Sequence, residues 1–138
     1  MNNENNVILE VKNLKKYFKI GRKAILKAVD DVSFYIEKGE TLGIVGESGC
    51  GKTTCGRTCI GIHDKTSGQV LYNGKDVHSL NKKEKKDFTK DVQIIFQDPY
   101  ASLNPKMKVS DIISEGIKAH KILKNEKDID KRVKELLV

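Results

Sequence analysis

No stretch of this 138-residue chain approaches the roughly 18 consecutive apolar residues that a membrane-spanning helix needs. The longest low-charge segments, such as Thr41 to Gly46, are far shorter, so a spanning protein is excluded. The N-terminal MNNENNVILE is polar and carries no apolar signal core. Cysteine is scarce: Cys50, Cys55 and Cys59 form an odd set in one short segment. Without an export signal, reduced cytoplasmic thiols are expected rather than a disulfide framework. What remains is ordinary for a soluble globular domain, with 38% hydrophobic and 33% charged residues and a mean hydropathy of −0.49.

The net charge of +7 invites a nucleic-acid reading, so its location matters. Residues 75–138 hold 15 basic and 11 acidic side chains, so most of the excess is C-terminal and interleaved with acids. The densest patch, Lys82, Lys83, Lys85, Lys86 and Lys90 with Glu84 and Asp87, lacks interleaved aromatics and reads as a solvated helix face. No nucleic-acid partner is expected.

Val7 to Val11 and Ala28 to Ile36 read as extended and suggest an N-terminal β layer, followed by a turn at Glu37-Lys38-Gly39-Glu40. Thr41 to Val45 is a short uncharged run entering a glycine cluster, the pattern of a buried strand feeding a loop. A helix is expected over Lys52 to Ile62, a strand over Gly68 to Tyr72 with a turn at Asn73-Gly74, and a second buried strand over Val92 to Phe96. Pro99 and Pro105 interrupt any helix there. Beyond them Ser110, as N-cap, opens a helix running to Leu123. Ile129, Val133, Leu136 and Leu137 form a helical stripe that runs to Val138 without a terminating signal, which points to a fragment.

Gly46-Glu47-Ser48-Gly49-Cys50-Gly51-Lys52-Thr53 matches G-x-x-x-x-G-K-[ST] at every fixed position, between an expected strand and an expected helix. Glycines let successive backbone N–H groups turn toward one point, and the following helix adds its positive end, so the segment is built for phosphate. Lys52 would reach the β and γ phosphates, Thr53 would ligate Mg²⁺, and Thr54 offers a second hydroxyl. The loop alone does not separate GTPases, kinases and ATP-driven machines. A guanine-reading N-K-x-D is missing, since Asn81-Lys82-Lys83-Glu84 ends in Glu and lies too early, and there is no D-x-x-G. A P-loop kinase stays open, as does a stand-alone, non-hydrolysing nucleotide-binding module.

The residues around the loop carry more. Leu9-Glu10-Val11-Lys12-Asn13-Leu14-Lys15-Lys16-Tyr17-Phe18, Ala28-Val29-Asp30-Asp31-Val32-Ser33-Phe34, Gly39 to Val45, Thr66-Ser67-Gly68 and above all Gln97-Asp98-Pro99-Tyr100-Ala101-Ser102-Leu103-Asn104-Pro105 resemble the N-terminal half of an ABC transporter ATP-binding subunit of the dipeptide and oligopeptide importer type. The resemblance implies an α/β P-loop NTPase core with an N-terminal antiparallel β subdomain and the start of a helical subdomain. Its partition would be 1–40 (β subdomain), 41–97 (P-loop core) and 98–138 (Q-loop and helical start). It implies that Tyr17 stacks on adenine, that Gly46, Glu47, Ser48, Gly49, Cys50, Gly51, Lys52, Thr53 and Thr54 bind ATP, and that Gln97 is the catalytic Q-loop residue sharing Mg²⁺ with Thr53. Partners would be transmembrane permease subunits, a second ATP-binding subunit in a homo- or heterodimer, and indirectly a peptide-binding protein. The location would be cytoplasmic, peripheral on the inner face of the cell membrane. The chain departs from the family pattern in having no L-S-G-G-Q signature, no apolar strand ending in Asp-Glu and no switch histidine. Hydrolysis by this chain alone is therefore not implied. His63, His78 and His120 precede the switch position and read as surface or loop residues, and Cys55 and Cys59 as core thiols.

Overall fold

The computed structural model describes residues 6–138, the side chains at 99 and 101 excepted. The chain folds as two compact units that divide after Lys85.

The first unit is built on an antiparallel sheet in the order β2-β1-β3-β4, with β1 at Val7–Ile20, β2 at Ala24–Glu37, β3 at Ser67–Tyr72 and β4 at Lys75–Asp76. The hairpin of β1 and β2 outruns the two short strands expected from the sequence. Its distal half, rich in lysine, is half-buried to exposed along β1 and lacks the apolar alternation that marks a strand in sequence. At the centre of β1 an extra residue is inserted. Asn13 takes a left-handed conformation (φ 47°) opposite Asp31 (φ 62°), its N–H donates to Ser33 Oγ at 2.8 Å, and its amide donates to Asp31 Oδ1 at 3.1 Å. This bulge lets Val11 and Leu14, three apart, both be buried. Val70 pairs with Val11 across β3 and is also fully buried. Gly68 occupies the bulge's far side because a Cβ there would lie 2.4 Å from the Asn13 carbonyl oxygen. Asn73 (φ 46°) and Gly74 (φ 77°) form the two-residue turn from β3 to β4, as their types predict.

Helix α1 (Lys52–Cys59) packs against β1 and β2, burying Cys55, Thr58 and Cys59. It stops three residues short of the sequence expectation. Gly61 (φ 73°) donates to Thr58 O at 3.1 Å and Ile62 N–H donates to Arg57 O at 2.9 Å, a Schellman ending.

Two expected strands are not strands. Thr41 to Val45 and Val92 to Phe96 are irregular, with Val45 92% and Ile95 96% exposed. Runs of this kind suit strands of a parallel sheet covered on both faces, and such a strand needs hydrogen-bonded neighbours. Among the described residues no parallel pairing exists to supply them.

The second unit holds the C-terminal part of α2 (Lys82–Asp91), the short α3 (Pro99–Ser102), and an antiparallel pair, α4 (Val109–Ala119) and α5 (Glu126–Leu136). Ile117, Ile129 and Val133 form its core with Ile113 and Leu123 against them. The capping role expected of Ser110 falls to neither serine nor any side chain, for α4 begins at Val109 after Lys108 in an extended conformation. At α5 the Asn125 side chain caps the Lys127 N–H, so the helix starts one turn earlier than its apolar stripe.

Candidate functional site

The loop that precedes α1 is shaped for an anion. Gly49 (φ 81°) and Gly51 (φ 100°) take left-handed conformations that residues with a Cβ rarely adopt, and Gly51 ends directly in the helix. No side chain caps that helix start, and no acid lies in its first turn. Its free N–H groups and positive dipole end are therefore left for an incoming ligand. A lysine at this end is electrostatically unfavourable for the helix on its own. Lys52 Nζ instead donates to the carbonyl oxygens of Gly46 and Glu47, each at 2.7 Å, and lies 3.7 Å from Cys50 Sγ. The ammonium thus spans the loop from inside.

A cavity of about 360 Å³ adjoins this loop, walled by Gly49 to Thr54 on one side and by Phe18, Leu26, Lys27 and Ala28 of the hairpin on the other. The volume lies in the range of small-molecule pockets. The charged and hydroxyl side chains among its lining residues are Lys27, Lys52, Thr53 and Thr54, so it suits a charged phosphate beside the apolar Phe18, Leu26 and Ala28. The residues present therefore fit a nucleotide phosphate, and the exposed Thr53 supplies the oxygen donor that a hard divalent cation takes. Among the described residues there is no group of three or more His, Cys, Asp or Glu side chains that could hold a metal unaided.

Of the residues singled out from the sequence, Gly49, Cys50, Gly51, Lys52, Thr53 and Thr54 meet around this cavity, and Gly46 and Glu47 hold Lys52 beneath it. Ser48 is exposed on the loop. Tyr17 is not among the lining residues; its neighbour Phe18 is. The Tyr17 hydroxyl donates to Asp30 Oδ1, and Lys27 Nζ lies 3.3 Å from Asp30 Oδ2 and 5.3 Å from the Tyr17 ring centroid. The hydrogen bond from Tyr17 is the main influence holding Asp30 below the usual carboxylate range, and the Asp30 bond likewise raises both Tyr17 and Lys27. The Phe18 ring is held instead by Lys16, whose Nζ sits 4.7 Å over it, and by His63 edge-on at 5.8 Å. Gln97 belongs to the second unit, as an exposed residue just before α3.

His78 is not a free surface residue. Its ring Nε2 is 3.0 Å from Thr58 O at the end of α1, and Asp76 accepts from its backbone N–H at 2.9 Å. Burial, and then the neighbouring Lys65 ammonium, hold the imidazole below its ordinary pKa.

A glycine loop running into an uncapped helix start, with a lysine folded onto the loop's own carbonyls, defines a P-loop nucleotide-binding protein of the α/β class. The model of the ABC transporter family matches residues 29–137, and the chain belongs to that family. It is 54% identical over 131 residues to the oligopeptide transport ATP-binding protein OppF of Bacillus subtilis strain 168, a match covering 94% of this chain and 43% of that protein. It is 46% identical to the dipeptide transport ATP-binding protein DppF of Lactococcus lactis subsp. cremoris strain MG1363, covering 94% and 42%. The chain thus spans less than half the length of these relatives. Its fold is similar to an ATP-binding cassette solved as a dimer in a post-hydrolysis state with ADP and Pi, at a TM-score of 0.71 and 25% identity, covering 92% of this chain and 54% of that one. It is also similar to cbiO1 of Clostridium perfringens, part of an ABC transporter complex, at a TM-score of 0.68 and 28% identity, covering 96% and 49%. Among the described residues no helix is long and apolar enough to cross a membrane.

Proposed function

We propose that this chain is the nucleotide-binding part of an ATP-binding subunit that energises peptide import, with Mg-ATP captured at residues 46–54. The observation that carries the reading is the helix start at Lys52: it has no side-chain cap and no acid, and its lysine is held on loop carbonyls. An anion supplies what that helix end lacks. Thr53 is the oxygen donor proposed for Mg²⁺, which when bound would neutralise charge on the phosphate oxygens, and Gln97 is proposed as the family's Q-loop residue. The adenine would lie against Phe18 rather than Tyr17, because Phe18 shares the cavity wall with the loop while the Tyr17 hydroxyl is tied to Asp30. The peptide substrate class is drawn from the relatives' names. Permease subunits, a second ATP-binding subunit and a place on the inner face of the cell membrane are proposed with it.

The test is equilibrium binding of a fluorescent ATP analogue with Mg²⁺ to the wild type and to Lys52→Ala. Removing a charged donor should weaken binding at least about tenfold, since hydrogen bonds to charged groups are worth roughly 1.5–3 kcal/mol. Equal affinity with the circular dichroism spectrum retained refutes the loop's assignment.

A further inference from the structure

The three cysteines are not alike. Cys50 is exposed on the loop, whereas Cys55 and Cys59 lie one turn apart on α1, 6% and 5% exposed. Cys55 also lines a second cavity of about 630 Å³, whose wall includes Val29, Val32, Phe34, Leu42 and Ile44. The helix thus presents two sulfurs as a pair, and one of them opens onto a roomy apolar space.

The spacing restricts what the pair can do. Residues four apart on a helix have Cβ atoms about 5–6 Å apart, whereas a disulfide needs roughly 3.5–4.5 Å. Direct oxidation would therefore break a turn of α1. A tetrahedral zinc site needs four ligands, and among the described residues no group of three or more His, Cys, Asp or Glu side chains could hold a metal. A linear two-coordinate cation needs its sulfurs on opposite sides and brings nothing to the apolar space beside Cys55. An atom that takes two sulfurs at a bent angle, and brings an apolar substituent of its own, meets both conditions.

We propose that Cys55 and Cys59 form a dithiol site for trivalent organoarsenicals, with the arsenic bridging the two sulfurs and its organic substituent lying in the apolar cavity beside α1. The step balances without a redox partner. An R–As=O reagent and two thiols form two As–S bonds, the arsenic–oxygen bond breaks, and the oxygen leaves as water with both thiol protons. Arsenic stays trivalent throughout. The thiol pair favours the step, because the neighbouring Cys59 thiol lowers the pKa of Cys55, while Cys55 and then burial raise that of Cys59.

The experiment treats the protein with phenylarsine oxide and measures the intact mass after washing with excess glutathione, a monothiol. A single bridging adduct, retained in Cys50→Ser, reversed by ethanedithiol and reduced at least tenfold in Cys55→Ser and in Cys59→Ser, is expected. Retention in either of those two variants, or loss in Cys50→Ser, overturns the assignment. Because Cys55→Ser or Cys59→Ser could unfold the helix, the wild type is also alkylated under denaturing conditions after treatment and mapped by peptide. Protection of Cys55 and Cys59 with Cys50 alkylated supports the site, and alkylation of all three overturns it. A linear cation is the alternative occupant: silver ions bound at one equivalent to the same pair, with no arsenical adduct, also overturn the proposal.

Discussion

Gly51 sits directly against the carbonyl oxygen of Ala28: a Cβ built on it would lie 2.1 Å from that atom. Backbone stands against backbone there, so neither side can yield cheaply. Gly49 in the same loop has a similar left-handed conformation, φ 81°, but its Cβ would meet nothing within 4 Å. Gly49→Ala should cost about 1–2 kcal/mol, the ordinary left-handed penalty. Gly51→Ala should cost at least about 3 kcal/mol and displace the start of α1. Urea denaturation of both variants checks the difference, and equal losses would mean that the hairpin does not fix the loop.

Phe18 and Tyr17 give an opposed pair of expectations for nucleotide binding. Phe18→Ala should weaken binding of the ATP analogue roughly tenfold, the scale of one base stacked on an aromatic ring. Tyr17→Phe, which removes only the hydroxyl bonded to Asp30, should leave it within about twofold. If Tyr17→Ala proves the more damaging and Phe18→Ala is silent, the base lies on the other face of β1.

How much of this was open to a reading of the sequence differs by element. The backbone of the loop at residues 46–54 was legible, because its glycines and lysine answer to local geometry and to one charge. The β3–β4 turn was legible for the same reason, Asn73-Gly74 being the pair that tolerates positive φ twice. The extent of the β1–β2 hairpin was not, since Lys15, Lys16 and Lys19 keep the strand through pairing and not through burial. Thr41–Val45 and Val92–Phe96 mark the opposite failure: their composition asks for strand neighbours, and no local rule can tell whether those neighbours are at hand. The choice between Tyr17 and Phe18 depended on which face of one strand turns toward the loop, and the central bulge shifts that alternation. His78 gave no sequence signal at all, because its partner Thr58 lies twenty residues away.

Acid should loosen the junction between α1 and the turn after β4 in two steps. His78 is held below its ordinary value of 6.5 by burial first and the Lys65 charge second. The folded state thus binds this proton less readily than the unfolded chain. Its contribution to stability is complete above 6.5 and is lost as pH falls through the lower folded value. Burial pushes Asp76 upward, but the bonds from Lys65 and from the His78 N–H outweigh it and leave the carboxyl below 3.8, so its contribution is lost at still lower pH. His78→Gln should flatten the upper step and leave the lower one in place. Urea midpoints measured from pH 8 to pH 3 on both proteins decide it, and superimposable curves would remove His78 from the account.

The endings of α1 and α4 use one motif with different residues at its critical position. At α1 the left-handed residue is Gly61; at α4 it is Lys121 (φ 54°), with Lys121 N–H donating to Lys118 O at 3.0 Å and Ile122 N–H to Ile117 O at 3.0 Å. A side chain in that conformation carries a steric penalty of roughly 1–2 kcal/mol that glycine escapes, against about 0.5–1 kcal/mol of extra glycine entropy. Lys121→Gly should therefore stabilise the α4–α5 pair by up to about 1 kcal/mol, with an upward shift of its thermal midpoint followed by helical circular dichroism. The reciprocal change at α1, Gly61→Lys, should do worse than reverse that sign, since a Cβ at Gly61 would also press on Val77 Cγ1 at 3.3 Å. If both substitutions shift the midpoint in the same direction, the hydrogen bonds of the motif and not the conformation of its left-handed residue set the strength of these endings.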